Sequence, residues 1–154
     1  MSTLHPTAQR VAERLAAAGL DVTVVEHAES SRTAAEAAAT AGCELGQIVK
    51  SLVFVDDSGP VLVLCAGDRR VDASALGLRR ARPDVVREAT GFAIGGVPPL
   101  GHPAPMRTLV DASLRRFETV WCAAGTPNAV FEVPTAGLIA ALPDAEVREV
   151  TETA

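Results

Sequence analysis

The stretch IVKSLVFVDDSGPVLVLCAG, residues 48–67, decides the fold. Two runs rich in Val, Leu and Ile flank DDSGP, a cluster of turn formers, so the segment predicts an antiparallel β-hairpin. Period 2 through IVKSLVF puts Ile48, Lys50, Leu52 and Phe54 on one face, and three of these are apolar. Lys50 is therefore expected on the more buried face of its strand. A buried ammonium is costly unless it is paired or lines a polar cleft. The chain has thirteen arginines and this single lysine. Where arginine meets every general need for a cation, a lone lysine points to a site that needs a compact charge with rotatable donors. The plainer alternative is an edge-strand lysine snorkelling to solvent.

On the N-terminal side, TAQRVAERLAAAGL carries Val11, Leu15 and Ala18 at helical spacing, with Gly19 as a stop. DVTVVEH reads as a strand. SSRTAAEAAATAG reads as a helix begun at Ser30, Ser31 or Thr33 and ended at Gly42. On the C-terminal side, VDASALGLRRA predicts a short helix entered through Asp72, and PDVVREATG another with Pro83 in its first turn. RTLVD, TVWCAAG, AVFEV and AEVREV read as strands, ASLRRFE as a short helix or turn, and PTAGLIAAL as a helix with Pro134 at its start. Helices and strands are interspersed around an antiparallel hairpin. That favours an α+β fold with a mixed, mostly antiparallel sheet over a doubly wound parallel one.

A chain of 154 residues can bury one real core, and no linker or repeat divides it, so residues 1–154 are expected to form one domain. Its 48% hydrophobic content excludes a disordered tail. The apolar runs are strand-sized, well short of the roughly 20 residues that span a bilayer. MSTLHPTAQR has no apolar run behind a basic start, so the expected compartment is the cytoplasm. Cys43, Cys65 and Cys122, like His5, His27 and His102, are scattered. They predict neither a metal site nor a cofactor, and the cysteines read as small buried hydrophobes. A net charge of −5 argues against a general nucleic-acid binder. Yet residues 69–87 hold six arginines against Asp72 and Asp84. That is either a basic face able to meet a phosphate backbone or an ordinary solvated face.

FAIGGVPPLGHPAP, residues 92–105, holds three glycines and four prolines and is expected to be an irregular, stiff loop. Its exposed backbone can bind a polar ligand without side chains. It matches neither GxGxxG nor GxxxxGK[ST], so a dinucleotide fold and a P-loop are unsupported. No Ser-His-Asp or Cys-His arrangement is visible. Cys122, following Trp121 in a strand pattern, reads as core, and Asp56 and Asp57 as solvated turn residues. An enzyme built on this sequence would work by placing a reactive substrate, without a strong protein nucleophile.

Taken together, TAAEAAATAG, IVKSLVFV, VLVLCAGDRRVD, ATGFAIGGVPPLGH and WCAAGTPNAVFEV, in that order over residues 20–142, resemble the YbaK / prolyl-tRNA-synthetase-associated domain family of aminoacyl-tRNA deacylases. The resemblance implies a compact, barrel-like mixed sheet surrounded by helices. It implies trans-editing, the hydrolysis of a wrong amino acid from the 3′ end of a transfer RNA. The expected substrate is a small residue such as Ala or Cys on tRNA(Pro), with help from the vicinal hydroxyl of the terminal ribose. The family's essential strand lysine falls on Lys50, which would engage the terminal nucleotide near its phosphate. The G-x-x-x-P loop falls on Gly95, Gly96, Val97, Pro98 and Pro99, with Gly101 following, and its backbone would position the aminoacyl group. Ser51 would shape the pocket, and Gly125, Thr126 and Asn128 would border it. Some members place a histidine near that last segment. Asn128 and Ala129 stand there in this chain, so no histidine role transfers, and His102 is a candidate for lining the site. The implied partners are the acceptor end of a mischarged tRNA and an aminoacyl-tRNA synthetase, with no membrane and no cofactor. The identity of the amino acid and the oligomeric state stay open. So do two alternatives: a non-catalytic tRNA- or nucleotide-binding module of the same fold, and a hydrolase of another small acyl ester.

Overall fold

A computed structural model describes residues 4–27, 33–103 and 106–152 of the chain. The order is α1 (Pro6–Ala17), β1 (Val24–Glu26), α2 (Ala34–Ala41), β2 (Val49–Asp56), β3 (Gly59–Ala66), β4 (Arg79–Arg80), α3 (Pro83–Thr90), β5 (Arg107–Asp111), β6 (Thr119–Ala123), β7 (Ala129–Pro134), α4 (Thr135–Ala140) and β8 (Glu146–Arg148). Short 3-10 turns at Leu45–Gln47 and Ala112–Arg116 lead out of α2 and β5. Local chemistry sets several of these ends. Pro6 opens α1, where the missing N–H is harmless. Thr33 Oγ1 accepts from Glu36 N at 3.1 Å and caps α2, while Ser30 and Ser31 lie outside the described residues.

The hairpin forms in unbroken register, from Val49↔Ala66 to Asp56↔Gly59. Its turn is set by Asp56, whose Oδ1 accepts from Ser58 N at 2.8 Å and Gly59 N at 3.1 Å. The hairpin is the middle of a five-stranded sheet ordered β4-β2-β3-β5-β8. The two pairings on the β5 side are parallel and the others antiparallel. β1, β7 and β6 make a second, antiparallel sheet of three strands. A single parallel bridge, Ile48↔Trp121, joins the two sheets at the start of β2. The result is an α+β domain with two sheets and, among the described residues, four α-helices. No helix among those residues is long and apolar enough to cross a membrane.

Two expectations change. VDASALGLRRA does not form a helix. One hydrogen-bonded turn, Leu76 N to Asp72 O at 3.2 Å, is ended by Gly77 at φ +68°, and Leu78 N then bonds back to Ala73 O. The chain then continues into β4, whose Arg79 and Arg80 pair with Val55 and Phe54. Lys50, Leu52 and Phe54 also lie on the less buried face of β2, as the strand is apolar on both sides. Val49 and Val53 enter the main core between the sheets, with Leu62, Leu64, Val110 and Phe131. Leu52 and Phe54 only flank a smaller second core of Val61, Val63, Cys65, Val71, Leu78, Leu109 and Val150.

The end of β3 is tightly fixed. Gly67 N donates to Ile48 O at 2.7 Å. A Cβ at Gly67 would sit 2.4 Å from the Leu45 carbonyl oxygen, a backbone atom unable to swing away. Asp111, 1% exposed, accepts from Ala66 N at 3.0 Å and from Ser113 N at 2.8 Å, tying β3 to β5 and to the turn after it. Further along, the Gly/Pro segment is irregular through residue 103, as expected, and residues 104 and 105 lie outside the described part. Its C-terminal half is held by His102, whose Nε2 lies 2.8 Å from Pro98 O, and by Arg14, which donates to Gly101 O.

Gly67→Ala is expected to destabilise the protein by about 1–3 kcal/mol through overpacking, read as a fall in the urea midpoint at unchanged slope. A second expectation concerns pH. Burial holds His102 below its ordinary value of 6.5, against the hydrogen bond to Pro98, and Arg14 pushes the same way as burial. The unfolded chain then takes up a proton that the folded protein resists. Stability is full above pH 6.5 and falls as the pH drops below it toward the lower folded value. His102→Gln, which keeps a donor for Pro98, should flatten that limb in thermal melts between pH 7 and pH 5. An identical slope in both proteins would remove His102 from the account.

Candidate functional site

A cavity of about 250 Å³ opens where the two sheets meet. Its floor is the start of β2, from Ile48 to Leu52, and its walls come from α2, β6 and the loop at residues 94–97. Lys50, Ser51 and Leu52 all line it. Successive strand residues point to opposite faces, so three in a row can border one cavity only along the strand's edge. The pairings agree. Among the described residues the backbone bridges to β6 only at Ile48, just before β2, and β2 pairs with β4 only at Phe54 and Val55, so between them residues 50–53 pair only with β3. The cavity lies on that open edge. α2 leaves room for it because its facing positions, Ala34, Ala37 and Ala41 at helical spacing, are all alanine.

The Lys50 ammonium donates to the Arg69 carbonyl at 2.6 Å. Ser51 Oγ and His27 Nε2, both on residues lining the cavity, are buried and have no hydrogen-bond partner among the described residues. Such atoms are costly unless a ligand or water satisfies them. Gly95 and Val97 also line the cavity, with Gly95 at φ +93°, a conformation only glycine adopts without strain. Gly96 and Gly125 lie behind it. Gly125 N donates to Gly96 O at 2.8 Å, and a Cβ on Gly96 would lie 2.7 Å from Gly125 O, so the two loops touch backbone to backbone. Thr126 Oγ1 lies 3.0 Å from Asn128 Oδ1, and Asn128 Nδ2 donates to His27 O at 2.9 Å. These two residues thus reach the site through His27. Pro98 is buried and accepts from His102. Pro99, Gly101 and His102 line a different cavity of about 570 Å³ with Leu142 and Asp144.

The structure therefore brings Lys50, Ser51, Gly95 and Val97 together and sets Gly96, Gly125, Thr126 and Asn128 behind or beside them. Pro99 and Gly101 serve another surface. Sequence reasoning missed His27, the alanine face of α2 and Trp121. The alanine spacing was visible. His27 carried no pattern signal, since its clamp to Asn128 joins residues 101 positions apart.

The chemistry available is limited in an informative way. Cys122 is buried in the cavity wall and burial pushes its thiol up. Burial pushes Cys65 up to about 12, with Lys50 opposing and Asp111 adding. Both are protonated thiols at neutral pH and poor nucleophiles. Ser51 Oγ bonds to no base, so nothing activates it for attack. Among the described residues no three His, Cys, Asp or Glu side chains come together to hold a metal ion. What remains is one fixed ammonium, two unpartnered polar atoms, an open strand edge and an exposed loop backbone.

Residues 28–141 match the family Aminoacyl-tRNA editing domain. Uncharacterized protein YwhH of Bacillus subtilis (strain 168) is 38% identical over 117 residues, covering 71% of this chain and 74% of that one. A proline–tRNA ligase of Thermosipho melanesiensis is 35% identical over 82 residues, which cover 49% of this chain but only 14% of the ligase. The fold is similar to the crystal structure of a candidate trans-editing enzyme for prolyl tRNA synthetase, with TM-score 0.91 and 45% identity over 98% of this chain and 100% of that one. The chain belongs to the aminoacyl-tRNA editing domain family.

Proposed function

We propose that the protein hydrolyses the ester of a mischarged aminoacyl-tRNA, a small amino acid such as Ala or Cys on tRNA(Pro), with the bond to be cut seated in the cavity on the β2 edge. The observation that carries this reading is the position of Lys50. Its ammonium is fastened on one side to a carbonyl and borders a cavity that, among the described residues, is lined by no other lysine or arginine and by no carboxylate. A phosphate at the acceptor end would take its remaining two donors. The loop at residues 95–97 and the free edge of β2 would supply backbone groups to the aminoacyl part, and Ser51 Oγ and His27 Nε2 would find partners in its polar atoms. The alanine face of α2 supports a small, apolar side chain.

The reaction needs no protein nucleophile. An aminoacyl ester is already activated, and the vicinal ribose hydroxyl can hydrogen-bond an attacking water. Water adds to the carbonyl carbon, the carbon–oxygen bond to the ribose breaks, and the water's proton passes to the departing ribose oxygen. The products are the free amino acid and uncharged tRNA. The protein contributes orientation and charge stabilisation. The protein's site of action would be the cytoplasm, with a synthetase as a second partner.

Deacylation of a panel led by Ala-tRNA(Pro) and Cys-tRNA(Pro) tests this. Lys50→Ala is expected to lower kcat/KM by roughly 10²–10³-fold without loss of fold. Ala37→Leu, which pushes a side chain into the cavity, should raise KM for the cleared ester while leaving the melting curve almost unchanged. If every ester survives while the folded protein still binds RNA, the non-catalytic binding reading replaces this one. Cleavage of free acyl esters at rates matching the tRNA esters would point to the more general hydrolase.

A further inference from the structure

The carbonyl that holds Lys50 lies on a turn with an unusual number of fastenings. Arg69 N bonds back to Ala66 O at 3.0 Å, and Gly67 N is fixed to Ile48 O. Between them Asp68 takes a two-pronged hydrogen bond from Arg116, Nη1 to Oδ2 at 3.0 Å and Nη2 to Oδ1 at 2.8 Å. Arg116 is itself held. Its Nε donates to Ser113 O at 2.7 Å and its guanidinium lies 4.8 Å from the centre of the Phe117 ring. Phe117 in turn packs where Gly46 has no side chain: a Cβ there would lie 2.8 Å from the ring and 3.0 Å from Asp68 Oδ2. A forked arginine–carboxylate pair fixes direction as well as distance, unlike a lysine contact. Both partners are only about one-third exposed, at 35% and 31%.

We infer that the Asp68–Arg116 pair positions Lys50: it fixes the turn whose Arg69 carbonyl receives one ammonium hydrogen, and so aims the other two along the open edge of β2. Lys50 has four rotatable side-chain bonds and would otherwise sample many positions, since no carboxylate pairs with it among the described residues. A neutral carbonyl suits this task. It orients the ammonium without cancelling the charge that an incoming phosphate needs. Asp68 and Arg116 touch neither substrate nor cavity, so they are positioning residues. The consequence for turnover rests on the ester-hydrolysis reading above.

The sequence offers a direct test, because Lys50 is the only lysine. Protein labelled with ¹⁵N at lysine Nζ gives one side-chain ammonium resonance, readable without any RNA. In Asp68→Asn, and from the other side in Arg116→Gln, that resonance should move and its protons should exchange with water several-fold faster. Asp68→Glu, which keeps the charge, should recover part of the shift. In deacylation of the cleared ester, the first two variants should lose roughly 10–100-fold in kcat/KM, chiefly through a raised KM, as expected where the displaced ammonium anchors the substrate's phosphate. An unmoved Lys50 resonance in both folded variants overturns the inference, even if turnover falls. If the resonance responds but the wild type cleaves no ester, the positioning stands and the proposed reaction fails.

Discussion

The structure depends on β3 being apolar on both faces. Every residue from 61 to 66 is fully buried, with Leu62, Leu64 and Ala66 turned to the main core and Val61, Val63 and Cys65 to the smaller one. Each buried Val or Leu contributes about 1.5–3 kcal/mol relative to exposure, so this one strand rivals the net stability of a typical domain. Both faces must be covered, and the coverings make the site. On one side the three-stranded sheet closes over the main core, where Val49 and Val53 of β2 pack, and is bridged to the strand's start through Ile48 and Trp121. On the other, the segment after β3 folds back so that Val71 and Leu78 cap the second core. That return brings the Arg69 carbonyl to Lys50. The ammonium is held by the same segment that completes the fold.

The exposed ion pairs carry little of this. Arg79 with Asp57 and Arg82 with Asp84 join largely exposed side chains and are worth at most about 1 kcal/mol each. They nevertheless occupy part of the basic run at residues 69–87, so fewer of its arginines are unpaired than the local charge implies. The buried carboxylate of Asp111, satisfied by Ala66 N and Ser113 N, has a stronger structural claim.

Much of the architecture was legible because it follows from local rules. The DDSGP turn, the Thr33 cap, Pro83 in the first turn of α3 and the irregular Gly/Pro loop each depend on residues within a few positions of one another. The failures are non-local. One turn of the 72–78 segment is helical, but Gly77 and the need of Leu78 for a core end it there. The face of Lys50 was misjudged because period 2 separates two faces without saying which is better covered, and here both are apolar. At the site, Lys50, Ser51 and the 95–97 loop were legible through the family resemblance. His27 and Trp121 were not, since what places them is contact with distant strands.

A cavity bounded by alanines on one helix has a further meaning. Its shape is defined there by missing atoms, on a helix whose one buried residue, Ala38, does not line the cavity. Change at Ala34, Ala37 or Ala41 would redraw the pocket while leaving the cores on either side of β3 untouched. Val49, Val97 and Cys122 serve both cavity and core, whereas on α2 the residues that shape what fits stand apart from the two cores. Selectivity can therefore drift by single steps among descendants without each step threatening the integrity of the chain.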